Sequence, residues 1–269
     1  MGKIKAPLSK IYKETNYIRK KLFTVTAACK DVPLKLTLSM PSKNLLKTKV
    51  GGGFYHIYNR GVEKRVIFQD IQDHKVFLNY LKEHLSPPPD PEDLLEIFTL
   101  QGTSFKGIPR QPKNYFQKIK LLAFCLMPNH FHLLIKQENP EDMEGFMRSL
   151  ATRYSMYFNK KYDRVGPLFQ SIYKASLISD DVYLLHLSRY IHLNPQEYTN
   201  NLAQAYSSYG DYLGIRKTAW IDTDFILSFF NQKVIPDLAK INSYKEFVEK
   251  YKGEKDLTGL LLESPEVDL

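Results

Sequence analysis

Cysteine is nearly absent: the 269 residues contain only Cys29 and Cys125, 96 positions apart. That supports neither a disulfide framework nor a cysteine-rich zinc site. No apolar run approaches the ~18 to 20 residues of a membrane span, so no membrane segment is expected. The Lys-rich N-terminus lacks the compact apolar stretch of a secretory signal. No GxxxxGK[ST] loop occurs, so nothing points to a nucleotide-driven reaction. No internal repeat is found. These absences leave a cytoplasmic globular protein as the expectation. The 43% hydrophobic and 25% charged content agrees with it, and the length suits one large domain or one domain with additions.

Acidic residues are scarce in one region. Residues 1–50 set eleven Lys and one Arg against Glu14 and Asp31, a balance of +10. The whole chain carries +9, so the other 219 residues sum to −1. A basic arm can hold nucleic acid by neutralising phosphates and releasing counterions. A solvated tail fits the same composition, as does a start upstream of a second initiation point at Met40.

What is present reads as alternating elements. After the Gly51–Gly53 hinge, Phe54 to Arg60 reads as a strand rich in aromatic and β-branched residues, stopped by Gly61. Asp70 to Leu85 predicts a helix, with Val76, Phe77, Tyr80, Leu81 and His84 roughly on one face. "SPPPDPEDL" breaks it, and residues 86–117 suggest a loop or inserted hairpin with a strand at Ile97 to Leu100. Ile119 to Met127 and His130 to Lys136 predict two strands joined by Pro128 and Asn129, hence an antiparallel hairpin. Met143 to Tyr162 predicts a helix and Phe169 to Ile178 a strand. A last helix starts at Ser179 and Asp180 and runs to about Leu193, because Pro195 disfavours helical geometry at Asn194. Strands and helices in this order predict an α+β domain: a ferredoxin-like (RRM-like) antiparallel sheet with helices packed on one face.

The central hairpin carries "CLMPNHFHLLIK", residues Cys125 to Lys136. On a strand, His130 and His132 share one face while Phe131 points to the other. Their Cα atoms lie roughly 6.5 to 7 Å apart, a spacing from which two imidazoles can converge on one cation. Two half-buried histidines with ordinary hydrogen-bond partners fit the pair as well. On the last helix, His186, Tyr190 and Asn194 form a stripe at i, i+4 and i+8. Packing against Leu184, Leu187 and Ile191 accounts for a tyrosine there equally.

"FYHIYNRG", "CLMPNHFHLLI", "FMRSLATRYSMYFNKKY", "GPLFQSIYKA" and "YLLHLSRYIHLNP" follow one another as blocks that resemble the IS200-like, REP-associated tyrosine transposase family, over roughly residues 50–213. "MPNHFHLLI" and "RYIHLNP" are the most specific of them. The resemblance implies an HUH endonuclease-type core at 51–213, flanked by a basic extension at 1–50 and a helical extension at 214–269. It implies that His130 and His132 bind a divalent metal and that Tyr190 is the nucleophile. Asn194 would be the third ligand, where related insertion-sequence members commonly have glutamine. Asparagine is one methylene shorter and sits next to Pro195. His186 gains no secure role from the family.

Such enzymes nick single-stranded DNA through a 5′-phosphotyrosine and join strands by reversing that step. A set of two imidazoles and an amide oxygen suits Mg²⁺ or Mn²⁺, with zinc the alternative. For the DNA, Arg60, Arg148, Arg153, Lys160, Lys161 and Lys174 are candidate phosphate contacts, interleaved with Tyr154, Tyr157, Phe158 and Tyr162. A solvated helix face over a core reads the same way. The implied partner is single-stranded DNA with hairpin structure, bound by a monomer or a homodimer. A binding module without catalysis and a metal-dependent hydrolase using activated water stand as alternatives.

Overall fold

The computed structural model describes residues 48–232 and 241–250. The expected basic extension therefore lies almost wholly outside the described residues. In chain order the elements are β1 (Phe54–Arg60), α1 (Ile71–Leu85), β2 (Glu96–Leu100), β3 (Thr103–Gly107), β4 (Ile119–Met127) and β5 (His130–Gln137). They continue with α2 (Asp142–Lys161), β6 (Lys174–Ile178), α3 (Asp181–Leu193), the short α4 (Tyr209–Tyr212), α5 (Asp224–Gln232) and α6 (Tyr244–Glu249).

The main sheet is antiparallel with strand order β4-β5-β1-β6, while β2 and β3 form a separate two-stranded hairpin. Setting that insertion aside, the order β-α-β-β-α-β is the ferredoxin-like arrangement the sequence predicts. The helix starts follow from their caps. Asp70 and Asp73 form a reciprocal capping box on α1, and the Asp180 carboxylate accepts the Tyr183 N–H on α3.

Strand alternation divides the interior in two. Tyr55, Ile57, Phe131, Leu133 and Ile135 face α1 and α2, meeting Phe77, Leu81, Phe146, Leu150 and Tyr154. This is the pair of helices expected on one face. Phe54, Leu134 and Ile178 face the other way and are covered by α3 and the segments after it, through Leu184, Leu187, Ile191, Tyr209, Phe230, Tyr244 and Phe247. The described residues of 214–232 and 241–250 thus supply part of the core on this second face. The outer edge of β4 is also covered: Leu126 N–H donates to the Tyr206 carbonyl, Ser208 N–H to Phe124 and Asp222 N–H to Leu121. An edge strand that is otherwise an open row of backbone donors and acceptors is closed in this way.

Two element boundaries differ from expectation for identifiable reasons. The strand expected from Phe169 is regular only over Lys174–Ile178. Before it, the Asn59 amide donates to the carbonyls of Ser171 and Ile172 and so holds that stretch in an irregular path. At the end of α3, Asn194 keeps helical angles and the chain continues as a 3-10 turn, Asn194–Glu197. Pro195 falls in the first turn of that new element, where its missing N–H costs no hydrogen bond.

Candidate metal and nucleophile site

The site lies on the second face, between β1, β5 and α3. The turn at Pro128 and Asn129 aims the start of β5. Ile67 and Phe68 N–H groups donate to the Pro128 carbonyl at 2.8 and 3.0 Å, and Gly61 N–H donates to Asn129 at 2.9 Å. A side chain at position 61 would collide with the Arg65 carbonyl, so glycine is what lets β1 close onto this turn. His130 and His132 then point to the same face, opposite Arg60 and Tyr58 of β1. Their ring centroids are 5.0 Å apart at nearly a right angle.

The helix α3 lies over them. The Tyr190 ring meets His132 edge-on at 5.6 Å and His56 edge-on at 6.4 Å, centroid to centroid. Asn194 follows one turn later, with its amide nitrogen donating to the Tyr190 carbonyl at 2.9 Å. Its Oδ1 is the atom left for a cation. The helical stripe thus divides: Tyr190 meets the imidazoles and Asn194 sits one turn on, against Tyr190, whereas His186 sits against Arg189 and Phe247.

The electrostatics hold all the imidazoles neutral. Burial lowers the His56 pKa to about 3 and that of His130 to about 4, with Arg60 adding to the latter. His132 is pushed well below the usual histidine range by burial, with His130 and His56 as smaller causes. Neutral imidazole is the ligating form. The Tyr190 phenol is raised by burial, while the neighbouring Asn194 amide pulls it partway back. At neutral pH it is protonated.

Does this donor set fit a divalent cation? The Nδ1 of His130 lies 2.6 Å from the Asn129 amide oxygen. That oxygen can only accept, so His130 carries its proton on Nδ1 and presents a lone pair at Nε2. The Nε2 of His132 is buried and makes no hydrogen bond. A ring nitrogen buried without a partner is costly in a purely structural role, and a cation would satisfy it. Among the described residues no three His, Cys, Asp or Glu side chains converge as a metal-binding group. A third protein donor would then have to be non-acidic, and the Asn194 amide, expected from the sequence, is of that kind. Cys125, opposite His132 on β4, is fully buried with its thiol pKa pushed up by desolvation, so it stays a protonated thiol and offers no thiolate to zinc.

Of the expected DNA contacts, Arg60 stands opposite His130, and Lys174 stands opposite Tyr58 with its ammonium 5.8 Å from that ring. The other four belong to α2, on the far face of the sheet. Arg148 and Lys160 are exposed there. Arg153 stacks on Tyr80 and pairs with Glu83. Lys161 pairs with Asp70 at 2.7 Å and Asp73 at 2.8 Å.

One residue of the site was not singled out from sequence. His56 of β1 is buried under Tyr190, with its Nε2 2.9 Å from His132 Nδ1. The available signal was a polar ring in the apolar strand "FYHIYNRG", two residues from Tyr58 and therefore on its face.

Residues 108–194, from just before β4 to the end of α3, match the family model described as IS200-like transposase. A solved structure of a REP-associated tyrosine transposase bound to a REP hairpin is similar at 11% identity and a TM-score of 0.42, covering 66% of this chain and 95% of that one. No curated protein matches. The matched segment, residues 108–194 of 269, contains His130, His132, Tyr190 and Asn194, and over it the chain is similar to the IS200-like transposases.

Proposed function

We propose that the protein nicks and transfers single-stranded DNA, at hairpins, with Tyr190 as nucleophile and a divalent cation held by His130, His132 and Asn194. The observation that carries this reading is the placement of the Tyr190 ring edge-on over His132, on the face where the two imidazoles share an outlook.

Mg²⁺ or Mn²⁺ bound there would polarise a phosphate oxygen and orient the phosphodiester. The protein's own part is as follows. His130 and His132 enter the site neutral, so no proton has to leave them before they bind. Tyr190 enters the reaction as the protonated phenol, its pKa raised by burial. In the reaction its oxygen bonds to phosphorus and the P–O3′ bond breaks. The phenolic proton ends on the released 3′-oxygen, and the 5′-phosphate stays on Tyr190. Attack by a later 3′-hydroxyl reverses these bonds, so no external energy source is needed. Arg60 and Lys174 flank this face and suit the strand's phosphates.

Incubating the protein with a labelled hairpin DNA and Mn²⁺ should give a covalent protein–DNA adduct. Tyr190→Phe should abolish it, and EDTA should suppress it. An adduct that persists in Tyr190→Phe removes the nucleophile. Cleavage without an adduct points to activated water. Hairpin binding without cleavage, indifferent to EDTA, describes a binding module.

A further inference from the structure

We infer that His56 is a positioning residue that fixes His132 in the tautomer able to ligate a cation, through the contact of its Nε2 with His132 Nδ1. The inference rests on the metal reading proposed above. His56 lies outside the segment matched by the family model, which begins at residue 108.

The strand register makes the contact. His132 stands opposite Tyr58, and His56 stands opposite Leu134, so the two histidines are diagonal neighbours on one face. Their rings are nearly parallel, with centroids 5.1 Å apart and facing nitrogens 2.9 Å apart. The His56 ring is boxed in by Tyr58 and by the edge of Tyr190. Between two neutral imidazoles, one nitrogen must donate and the other accept. Either direction satisfies this bond, but they differ at the far nitrogen of His132. If His56 donates, His132 carries its proton on Nε2 and cannot ligate through it. If His132 donates, its Nε2 presents a lone pair.

His130 supplies the parallel. Its Nδ1 is committed to the Asn129 oxygen, which leaves Nε2 as the ligating atom. In His132 the corresponding Nδ1 meets His56, and Nε2 is the buried atom without a partner. Both imidazoles are thus gripped from behind through Nδ1 by a neighbour, one an amide and the other a ring. Metal-bound histidines are held in this way by outer partners that set ring orientation and tautomer. The Nδ1 of His56 is then the N–H side, and Ser176, its register partner on β6, has a buried hydroxyl that makes no hydrogen bond.

The test has two arms. In the metal-free, ¹⁵N-histidine-labelled full chain, long-range ¹H–¹⁵N correlation spectra should show His132 protonated on Nδ1. Protonation on Nε2 in the wild type overturns the inference without recourse to any variant. Then Mn²⁺ affinity is measured by calorimetry. His56→Phe should weaken it about 10- to 100-fold and move the His132 proton to Nε2, with thermal unfolding confirming that the variant is folded. His56→Gln, whose side-chain oxygen can take the place of the Nε2 acceptor, should restore most of the affinity and the Nδ1–H form. Unchanged affinity in His56→Phe overturns the inference. Wild-type protein that shows the expected tautomer but binds no Mn²⁺ would instead bring down the metal reading alone.

Discussion

Two buried polar clusters sit on opposite faces of the same sheet, and they are built on opposite principles. On the α1–α2 face, the fully buried carboxylate of Asp73 accepts from the Gln69 and Asp70 N–H groups, from the Tyr157 and Tyr162 hydroxyls and from Lys161. Burial pushes its pKa up, yet these donors outweigh the burial and leave it lowered. On the α3 face, His56 and His132 share one hydrogen bond while each keeps a buried ring nitrogen without a partner. A cluster whose capacity is filled from within the fold ties elements together. One left partly open is poor architecture for stability, and the cation proposed for this site would fill it. The network of His192 with Tyr244 and Ser208 belongs to the first type and fastens α3 to α6 and to the turn before α4.

The largest effect is expected from Asp73→Ala, which leaves Lys161 and two tyrosine hydroxyls without their common acceptor. Loss of about 3 to 5 kcal/mol in denaturant unfolding is expected, as for other broken buried ion clusters.

Acid should separate the clusters by pH window. The histidines His56 and His192 are neutral when folded, with pKa values lowered to about 3 by burial. Unfolding lets them take up protons near ~6.5. Their contribution is complete above ~6.5 and is lost as pH falls, at up to about 1.4 kcal/mol per pH unit for each. Asp73, with its pKa lowered, loses its contribution only as pH falls below ~4. Unfolding curves from pH 8 to 3 should therefore decline in two stages. His192→Phe should flatten the first stage and leave the second.

The smallest effect is expected where the open cluster is closed. In the double variant His56→Leu/His132→Leu, both partners of one hydrogen bond are replaced by apolar groups. Metal-free stability should stay within about 1 kcal/mol of wild type, while saturable Mn²⁺ binding disappears. A loss as large as that of Asp73→Ala would make the histidines structural.

Much of the fold was legible because it rests on local patterns. The aromatic, β-branched and apolar runs in Phe54–Arg60 and Ile119–Lys136, helical periodicity around Phe146, Leu150 and Tyr154, and the helix start at Asp180 each follow from side chains near in sequence. The shared face of His130 and His132 followed from the two-residue period of a strand. The remainder depends on partners far along the chain. The spacing of Arg153 and Lys160 put charges on one helix face but said nothing of Glu83 and Asp73, which engage Arg153 and Lys161. The shortening of β6 is caused by Asn59, more than a hundred residues earlier. His56 reaches His132 only through the register of β1 on β5, which no local pattern records. The covering of the second face by Tyr244 and Phe247 was hidden by the weak periodicity of the C-terminal residues.

The central claim is that the phenol of Tyr190 attacks a phosphodiester beside the histidine pair. The direct measurement is to digest the adduct formed with hairpin DNA and Mn²⁺ and to sequence its peptide by mass spectrometry. The expected product is a 5′-phosphate joined to the peptide that contains Tyr190, together with a free 3′-hydroxyl on the released strand. A nucleotide attached to any other residue, or a cut strand bearing a free 5′-phosphate and no peptide, would contradict it.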